Sequence, residues 1–491
     1  MANPIATRAP SAPDAGARSR LFNWFDHRTG LRAILHEALG EPIPGGARFA
    51  FVFGSGLLFL FLSQVITGVF LVLYYVPSAD HAYTTIAYIT KEVTAGSFLR
   101  SLHSYGSSAM VIVLVLHVTQ TFLYGSYKGR RELLWLSGCF LFALVMGMAF
   151  TGYLLPWDQK AYFATAVGTN IASEIPFIGE GIKLLMRGGA AMGTLTLSRF
   201  FVAHVFFIPA LIFGFVALHI YLFRKAGAAG PISEDSIAPK QKTEPFYPRQ
   251  LVMDIGFVTV VMAALGILAY FAPTEIGPKA NPAETRYLPR PEWYYLPIFQ
   301  WLKYWYGSRA VIGILVIPLI IIALFVGLPF IDRRLERRPW KRPVAVAGFA
   351  IVFFSFVGLG ALSYYDDYRD PDIAAQLAKQ REQVEQIMRA PFKPELSGAS
   401  VAAANVALAD PLVTKGQTVF LAQSCNGCHG DGGLGTSAAP KLLGIGATLP
   451  PDQLAAVLRH PTEKMTAGGM PPVNVTDEEM RALVAYLDSL K

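Results

Sequence analysis

The sequence predicts an all-α protein in two parts: a seven-helix transmembrane bundle, built as a four-helix core plus three further helices, and a small soluble C-terminal domain. Three observations carry this expectation. Apolar segments of bilayer-crossing length recur at about 50–76, 99–123, 133–154, 200–223, 250–271, 310–331 and 344–363. The second and fourth each hold two histidines, His103 with His117 and His204 with His219. From about residue 411 the apolar runs give way to a soluble stretch with its own motif, Cys425-Asn-Gly-Cys428-His429. Mean hydropathy of +0.40 and 53% hydrophobic residues place the chain among integral membrane proteins. The net charge of +8 sits in short loops between apolar segments, so topology explains it and nucleic acid binding is not implied.

In chain order, five parts are expected. Residues 1–48 comprise a Pro/Ala/Arg-rich arm, expected to be disordered and without a cleavable signal, and an amphipathic surface helix. That helix, Leu21–Leu39, has a loose 3.6-residue apolar period and carries Trp24 and Phe25. Residues 49–224 form the four-helix core and 225–365 the three-helix part. Residues 366–410 form a polar helix and a tether rich in small residues, and 411–491 the soluble domain. Four basic segments (the amino-terminal arm, Tyr124–Glu132, Arg224–Arg249 and Arg333–Arg342) hold about twice the Lys and Arg of the other three loops. The amino terminus is therefore expected on the cytoplasmic side of a bacterial inner membrane, and seven spans put the soluble domain outside.

The histidine spacing defines chemistry. Fourteen steps at about 100° come close to four whole turns and climb roughly 21 Å, so His103 and His117 share one helix face near opposite leaflets. His204 and His219, fifteen apart, repeat the arrangement. A single such His is most simply a satisfied polar residue in a bundle. Four at matched heights make two bis-imidazole sites, His103 with His204 on the outer side and His117 with His219 on the inner, as two b-type haems require. Gly54 and Gly68, and Gly138 and Gly152, are also each fourteen apart. A missing Cβ admits a flat macrocycle edge; ordinary close helix packing through glycine is the alternative.

Two thiols two residues apart, followed at once by an imidazole, form the c-type haem attachment motif: Cys425 and Cys428 for the thioethers, His429 as axial ligand. The remaining axial ligand should be a thioether, and Met470 in GGMPPV is preferred over Met465 because Pro471 and Pro472 stiffen its loop. Asp477–Leu490 reads as a closing helix with Thr476 as its cap. Cys139, alone in an apolar segment, reads as packing. Between the fifth and sixth spans stands Pro291-Glu292-Trp293-Tyr294. Its carboxylate either handles protons or caps the following helix.

These residues together resemble cytochrome b of the quinol-oxidising cytochrome bc complexes over Met1–Tyr364. The four His, the Gly pairs, Gly152-Tyr153-Leu154-Leu155-Pro156-Trp157-Asp158 and the PEWY tetrapeptide carry the likeness. The fifteen-residue interval, PWDQ at 156–159 and only three spans after the fourth resemble the chloroplast-type split cytochrome b and its companion subunit. Here the two are joined in one chain, with a class I cytochrome c domain behind them. The resemblance implies two non-covalent b haems and one covalent c haem. It implies a quinol oxidation site with Glu292, Tyr153 and Tyr294, and haem-propionate partners at Arg100 and Arg131. It also implies an inner quinone site with Arg224, where His36 or Glu37 is the alternative proton donor. Pro440 resembles the proline whose carbonyl orients the proximal His of small cytochromes c. Val52 departs from the pattern, standing where chloroplast-type relatives have a haem-tethering Cys.

The implied activity is that of a quinol:cytochrome c oxidoreductase running a proton-motive Q cycle. Its implied partners are a Rieske iron–sulfur protein as a separate chain, quinol and quinone, a soluble cytochrome c or similar acceptor, the lipid bilayer, and a second copy of the complex. The alternatives are a di-haem quinol-reactive anchor without bifurcation, and a tethered electron carrier or haem sensor without turnover.

Overall fold

The computed structural model describes residues 17–230, 232, 243–282, 284, 286–392, 410–423, 425–433, 435, 439–467 and 470–490. The arm before residue 17 and the tether at 393–409 lie outside them. Two compact units are present, Met1–Phe392 and Lys393–Lys491.

In the first unit, α1 (Ala17–Thr29) and α2 (Leu31–Leu39) meet at Gly30, which turns the chain with φ of 65°. The single helix expected over Leu21–Leu39 is thus two, broken at Gly30, and Leu21, Phe22, Trp24 and Phe25 are exposed on α1. Apolar runs that must satisfy their backbone polar groups internally then form long helices: α3 (Val52–Val72), α5 (Gly96–Leu123), α6 (Glu132–Tyr153), α11 (Arg249–Phe271) and α15 (Pro343–Arg369). Short helices occupy the loops, namely α4 (Ala82–Lys91), α7 (Gln159–Ser173) and α8 (Gly179–Arg187). The fourth span is α9 (Thr194–Val202), a π-helical turn Ala203–Phe207, and α10 (Ile208–Ala226) in direct succession. Within the core α3 packs along α5 and α6 along α10, and Phe61 meets Phe213 across the middle at 4.8 Å.

Among the described residues six helices are long and apolar enough to span a membrane, not seven. The expected sixth span, 310–331, is divided into a π turn Ile312–Val316, α13 (Ile317–Val326) and α14 (Leu328–Ile331). Pro318 and Pro329 each stand near the start of a piece, and a proline lacks the N–H that a continuous α-ladder needs. α12 (Leu296–Leu302) precedes it, and α16 (Pro371–Arg389) follows α15. The carboxy end of α16 is fastened to α4, with Lys91 Nζ 2.5 Å from both the Ile387 and Ala390 carbonyls.

At the basic end, the loops 124–131 and 332–342 lock together. Lys128 Nζ lies 2.6 Å from Asp332 Oδ1, Tyr127 donates to Asp332 Oδ2 at 2.6 Å, and Arg342 reaches the Phe122 and Leu123 carbonyls at 3.0 Å. Burial pushes the Asp332 carboxyl up, but the hydrogen bonds from Lys128 and Tyr127 and the nearby cations outweigh it and hold it below the usual carboxylate value. A two-stranded ribbon, β1 (Pro42–Pro44) against β2 (Thr243–Pro245), pairs segments on either side of the core.

In the second unit, α17 (Pro411–Ala422) crosses α22 (Asp477–Ser489) so closely that a Cβ on Gly416 would fall 1.9 Å from the Ala482 carbonyl. Phe420 and Tyr486 pack beside the crossing at 5.4 Å. The small helices α18 (Cys425–His429), α19 (Ile445–Thr448), α20 (Pro451–Arg459) and α21 (Glu463–Ala467) wrap this core. Thr476 caps α22 in a reciprocal box with Glu479.

Candidate haem and quinone sites

The rings of His103 on α5 and His204 in the π turn face each other with centroids 6.2 Å apart. That separation leaves room for one metal ion bonded to a nitrogen of each ring, at the roughly 2 Å typical of imidazole–metal bonds. His219 lies within electrostatic reach of His117, so the second pair also comes together. Each of the four glycines abuts one of these rings. A Cβ on Gly68 would lie 3.3 Å from His103 Cε1, on Gly54 3.6 Å from His117, on Gly138 3.3 Å from His219, and on Gly152 only 2.4 Å from His204. Added carbon would displace the His204 ring and crowd those of His103 and His219, while at Gly54 it would meet His117 at ordinary contact distance.

Three of the four histidines are aimed by their Nδ1 atoms. Thr67 Oγ1 lies 2.9 Å from His103 Nδ1 and Ser137 Oγ 2.8 Å from His219 Nδ1. His204 Nδ1 donates to the Met148 carbonyl at 3.0 Å, with Thr151 Oγ1 at 3.3 Å. An occupied Nδ1 leaves Nε2 as the metal-binding atom. Arg100 binds the Thr274 and Glu275 carbonyls, and Arg131 those of Ala226 and Gly227 at 3.2 Å. In both guanidinium groups the buried Nε is without a partner among the described residues, which suits an anionic substituent beside it. The side chains present fit a bis-imidazole macrocycle at each level.

The PEWY segment inserts beside the His103 level. Trp293 donates to Ser108 at 3.4 Å and Tyr295 to the Met146 carbonyl at 2.8 Å, joining it to α5 and α6. Glu292 Oε1 accepts from Lys160 Nζ at 2.8 Å, and Tyr153 donates to the Arg290 carbonyl at 3.4 Å. Tyr294 is buried. Burial, then the charge of Glu292, pushes its phenol well above the usual value, so it remains a neutral hydrogen-bonding group. At the basic end Arg224 Nη1 stands 3.8 Å from Glu37, while His36 is exposed on the same helix α2.

In the small unit His429 Nδ1 donates to the Pro440 carbonyl at 2.9 Å, freeing Nε2 as an axial ligand. Cys425 and Met470 pack against the apolar core, whereas Met465 is 37% exposed. A thioether on the core side suits a haem edge better than one in solvent, and Met470 provides it.

Comparisons with known proteins agree in outline. The family model cytochrome b/b6/petB matches residues 39–227, cytochrome b(C-terminal)/b6/petD matches 279–378, and cytochrome c matches 413–491. The menaquinol:cytochrome c reductase cytochrome b subunit of Bacillus subtilis is 38% identical over 222 residues, 44% of this chain and 99% of that protein. The cytochrome bc complex cytochrome b subunit of Chlorobaculum thiosulfatiphilum is 33% identical over 369 residues, 74% of this chain and 85% of that protein.

This chain belongs to the cytochrome b family.

The cytochrome b/c1 of Bradyrhizobium diazoefficiens is 34% identical over 350 residues, but the match spans only 50% of that protein's length. Among solved structures, a chain of a hyperthermophilic respiratory Complex III superposes with TM-score 0.64 at 28% identity, covering 74% of this chain and 96% of that one. This cytochrome b is thus an integral membrane haem protein with a cytochrome c domain in the same polypeptide.

Sequence reasoning passed over several groups that the folded cytochrome b brings to the sites. Thr67, Ser137 and Thr151 each precede one of the four glycines, so a hydroxyl-Gly dipeptide was the available signal; Phe53 stands in that place before Gly54. Lys160 was likewise unmarked. So was Asp254 on α11, a buried carboxylate near the basic end that accepts from Gln250 at 2.8 Å. A lone acid in an apolar run is a functional signal in itself.

Proposed function

We propose that this cytochrome b is the catalytic core subunit of a quinol:cytochrome c (or similar acceptor) oxidoreductase. Quinol is oxidised at the PEWY face and quinone reduced at the basic face, in a proton-motive Q cycle. The observation that carries this reading is the clustering of Glu292, Lys160 and Tyr153 at the level of the His103–His204 pair, with the second pair toward the basic end. The names of the Bacillus and Chlorobaculum relatives, a menaquinol:cytochrome c reductase and a bc complex, support the same reaction class.

Two b haems, held by His103/His204 and His117/His219, and one c haem on Cys425, Cys428, His429 and Met470 would supply one-electron transfer between the faces and toward the acceptor. The chain's own residues handle protons and orientation. Glu292 accepts a proton from the quinol hydroxyl, while Tyr153 and Tyr294 stand beside it. At the basic face Arg224 stands at the entry for quinone, with His36 or Glu37 as proton source. The amino terminus is cytoplasmic and the cytochrome c domain lies outside the bacterial inner membrane. A Rieske protein as a separate chain, a soluble acceptor and a second copy complete the complex.

Glu292→Gln keeps the shape of the side chain but cannot take up the proton. Quinol oxidation is expected to fall about 10²-fold with both b haems retained, read as quinol-dependent acceptor reduction alongside redox spectra. Loss of a b haem together with activity would assign Glu292 a structural role instead.

A further inference from the structure

We propose that Lys160 is a positioning residue for quinol oxidation, acting on the Glu292 carboxylate; the proposal rests on the proton-accepting role just given to Glu292. Besides the Trp293 and Tyr295 bonds, two arrangements hold the residues around Glu292. Their backbone is fixed from one side: Tyr153 donates to the Arg290 carbonyl, and the Arg290 guanidinium is paired with Asp367 on α15, Nε to Oδ2 at 2.7 Å. Among the described residues the Glu292 side chain is fixed from the other side by Lys160 alone, Nζ to Oε1 at 2.8 Å. Oε2 has no partner among the described residues. One carboxylate oxygen is therefore tied and the other free to receive a proton.

The position of Lys160 is itself built. Asp158 caps α7 by accepting from Ala161 at 2.8 Å and also accepts from Gly277 at 3.1 Å, while Gln159 donates to the Pro278 carbonyl at 2.8 Å. The first turn of α7 is thus lashed to the loop after α11, and Lys160 projects from that turn. Its ammonium also lies 5.6 Å from the Tyr153 ring centroid, a second partner for the cation. Lys160 and Glu292 side chains are 41% and 34% exposed. A pair this accessible contributes little to stability and opens readily.

The proton step balances simply. As quinol gives up its two electrons, which the iron–sulfur partner and the b haem nearest the site would take one each, its two O–H bonds break; one proton bonds to Glu292 Oε2 and the other leaves on the side of the iron–sulfur partner. The neutral carboxyl no longer attracts Lys160, whose cation stays over Tyr153. When Glu292 gives its proton to water the pair re-forms, and the acceptor is aimed again for the next quinol.

The test uses membranes holding the whole complex, with Lys160→Met, Lys160→Gln and Lys160→Arg made alone and Lys160→Met also made with Glu292→Gln. Redox spectra establish b haem content in each. Lys160→Met and Lys160→Gln are expected to lower kcat about tenfold with quinol KM within about twofold, and Lys160→Arg to restore most of the rate. Added to Glu292→Gln, Lys160→Met should change the rate by less than about twofold, because the group it aims is already gone. Multiplying effects in the double variant, or wild-type kcat in both neutral variants, would overturn the proposal while leaving Glu292 in its role. A Glu292→Gln protein oxidising quinol at the wild-type rate would instead remove the role of Glu292 itself.

Discussion

Replacing His204 with alanine is expected to abolish one b-type spectral component, and replacing His219 the other, with the remaining component intact in each case. The physical reason lies in how each ring is held. His204 is fixed through Nδ1 by the Met148 carbonyl, with its ring against Gly152, and it faces His103 at 6.2 Å. His219 is fixed by Ser137 against Gly138. An alanine removes the proposed axial nitrogen, so a bis-imidazole site would become a single-ligand site. Net quinol oxidation should fall below about 1% of wild type in both, since one-electron transfer across the membrane needs both levels. Low-temperature redox difference spectra decide the matter. Loss of the same component in both variants would mean that the rings are paired otherwise.

The second large effect concerns the small domain. In a Cys425→Ser/Cys428→Ser double variant, haem-stained denaturing electrophoresis is expected to show no stain at the mass of this chain. Pyridine haemochrome counting should fall from two b haems and one c haem to two b haems. The third thiol, Cys139, lies on the membrane helix α6, and Val52, 2% exposed on α3, offers no sulfur at all. The crossing of α17 and α22 through Gly416 does not depend on the thioethers, so the domain should keep its helices while losing its porphyrin. Stain surviving the double change would reveal another covalent attachment.

Most of the bundle was legible because hydrophobic periodicity reports helices directly. The four histidines were legible because ionisable rings at matched depths in apolar helices are costly to keep there unless they bind something. The features that sequence patterns did not reveal are local and polar. Lys160 lies eight residues beyond Gly152 in sequence and meets Glu292 only because the α7 turn is lashed to a loop more than a hundred residues away. No periodicity encodes such a meeting. The sixth span is uniform by hydropathy, yet Pro318 and Pro329 divide it, a backbone effect that a hydropathy window averages out. The short helices between spans are equally silent in the sequence, because their apolar faces are too brief to register.

The π turn at Ala203–Phe207 has a consequence for how the fourth span can change in length. Fifteen residues of plain α-helix would overshoot four turns and swing His219 off the face of His204; a turn bonded five residues back swallows the surplus, as Ile208 does in donating to Ala203. Helix α5, without such a turn between His103 and His117, has no slack. Deleting one residue between His204 and Pro209 should therefore relax the wide turn into ordinary helix and leave both b haems in place. One deletion between His103 and His117 should rotate a ligand by about 100° and cost a haem. Ligand spacing in this chain is accordingly a property of rotation rather than of residue count, and a fourteen and a fifteen in the sequence can describe the same pair of rings.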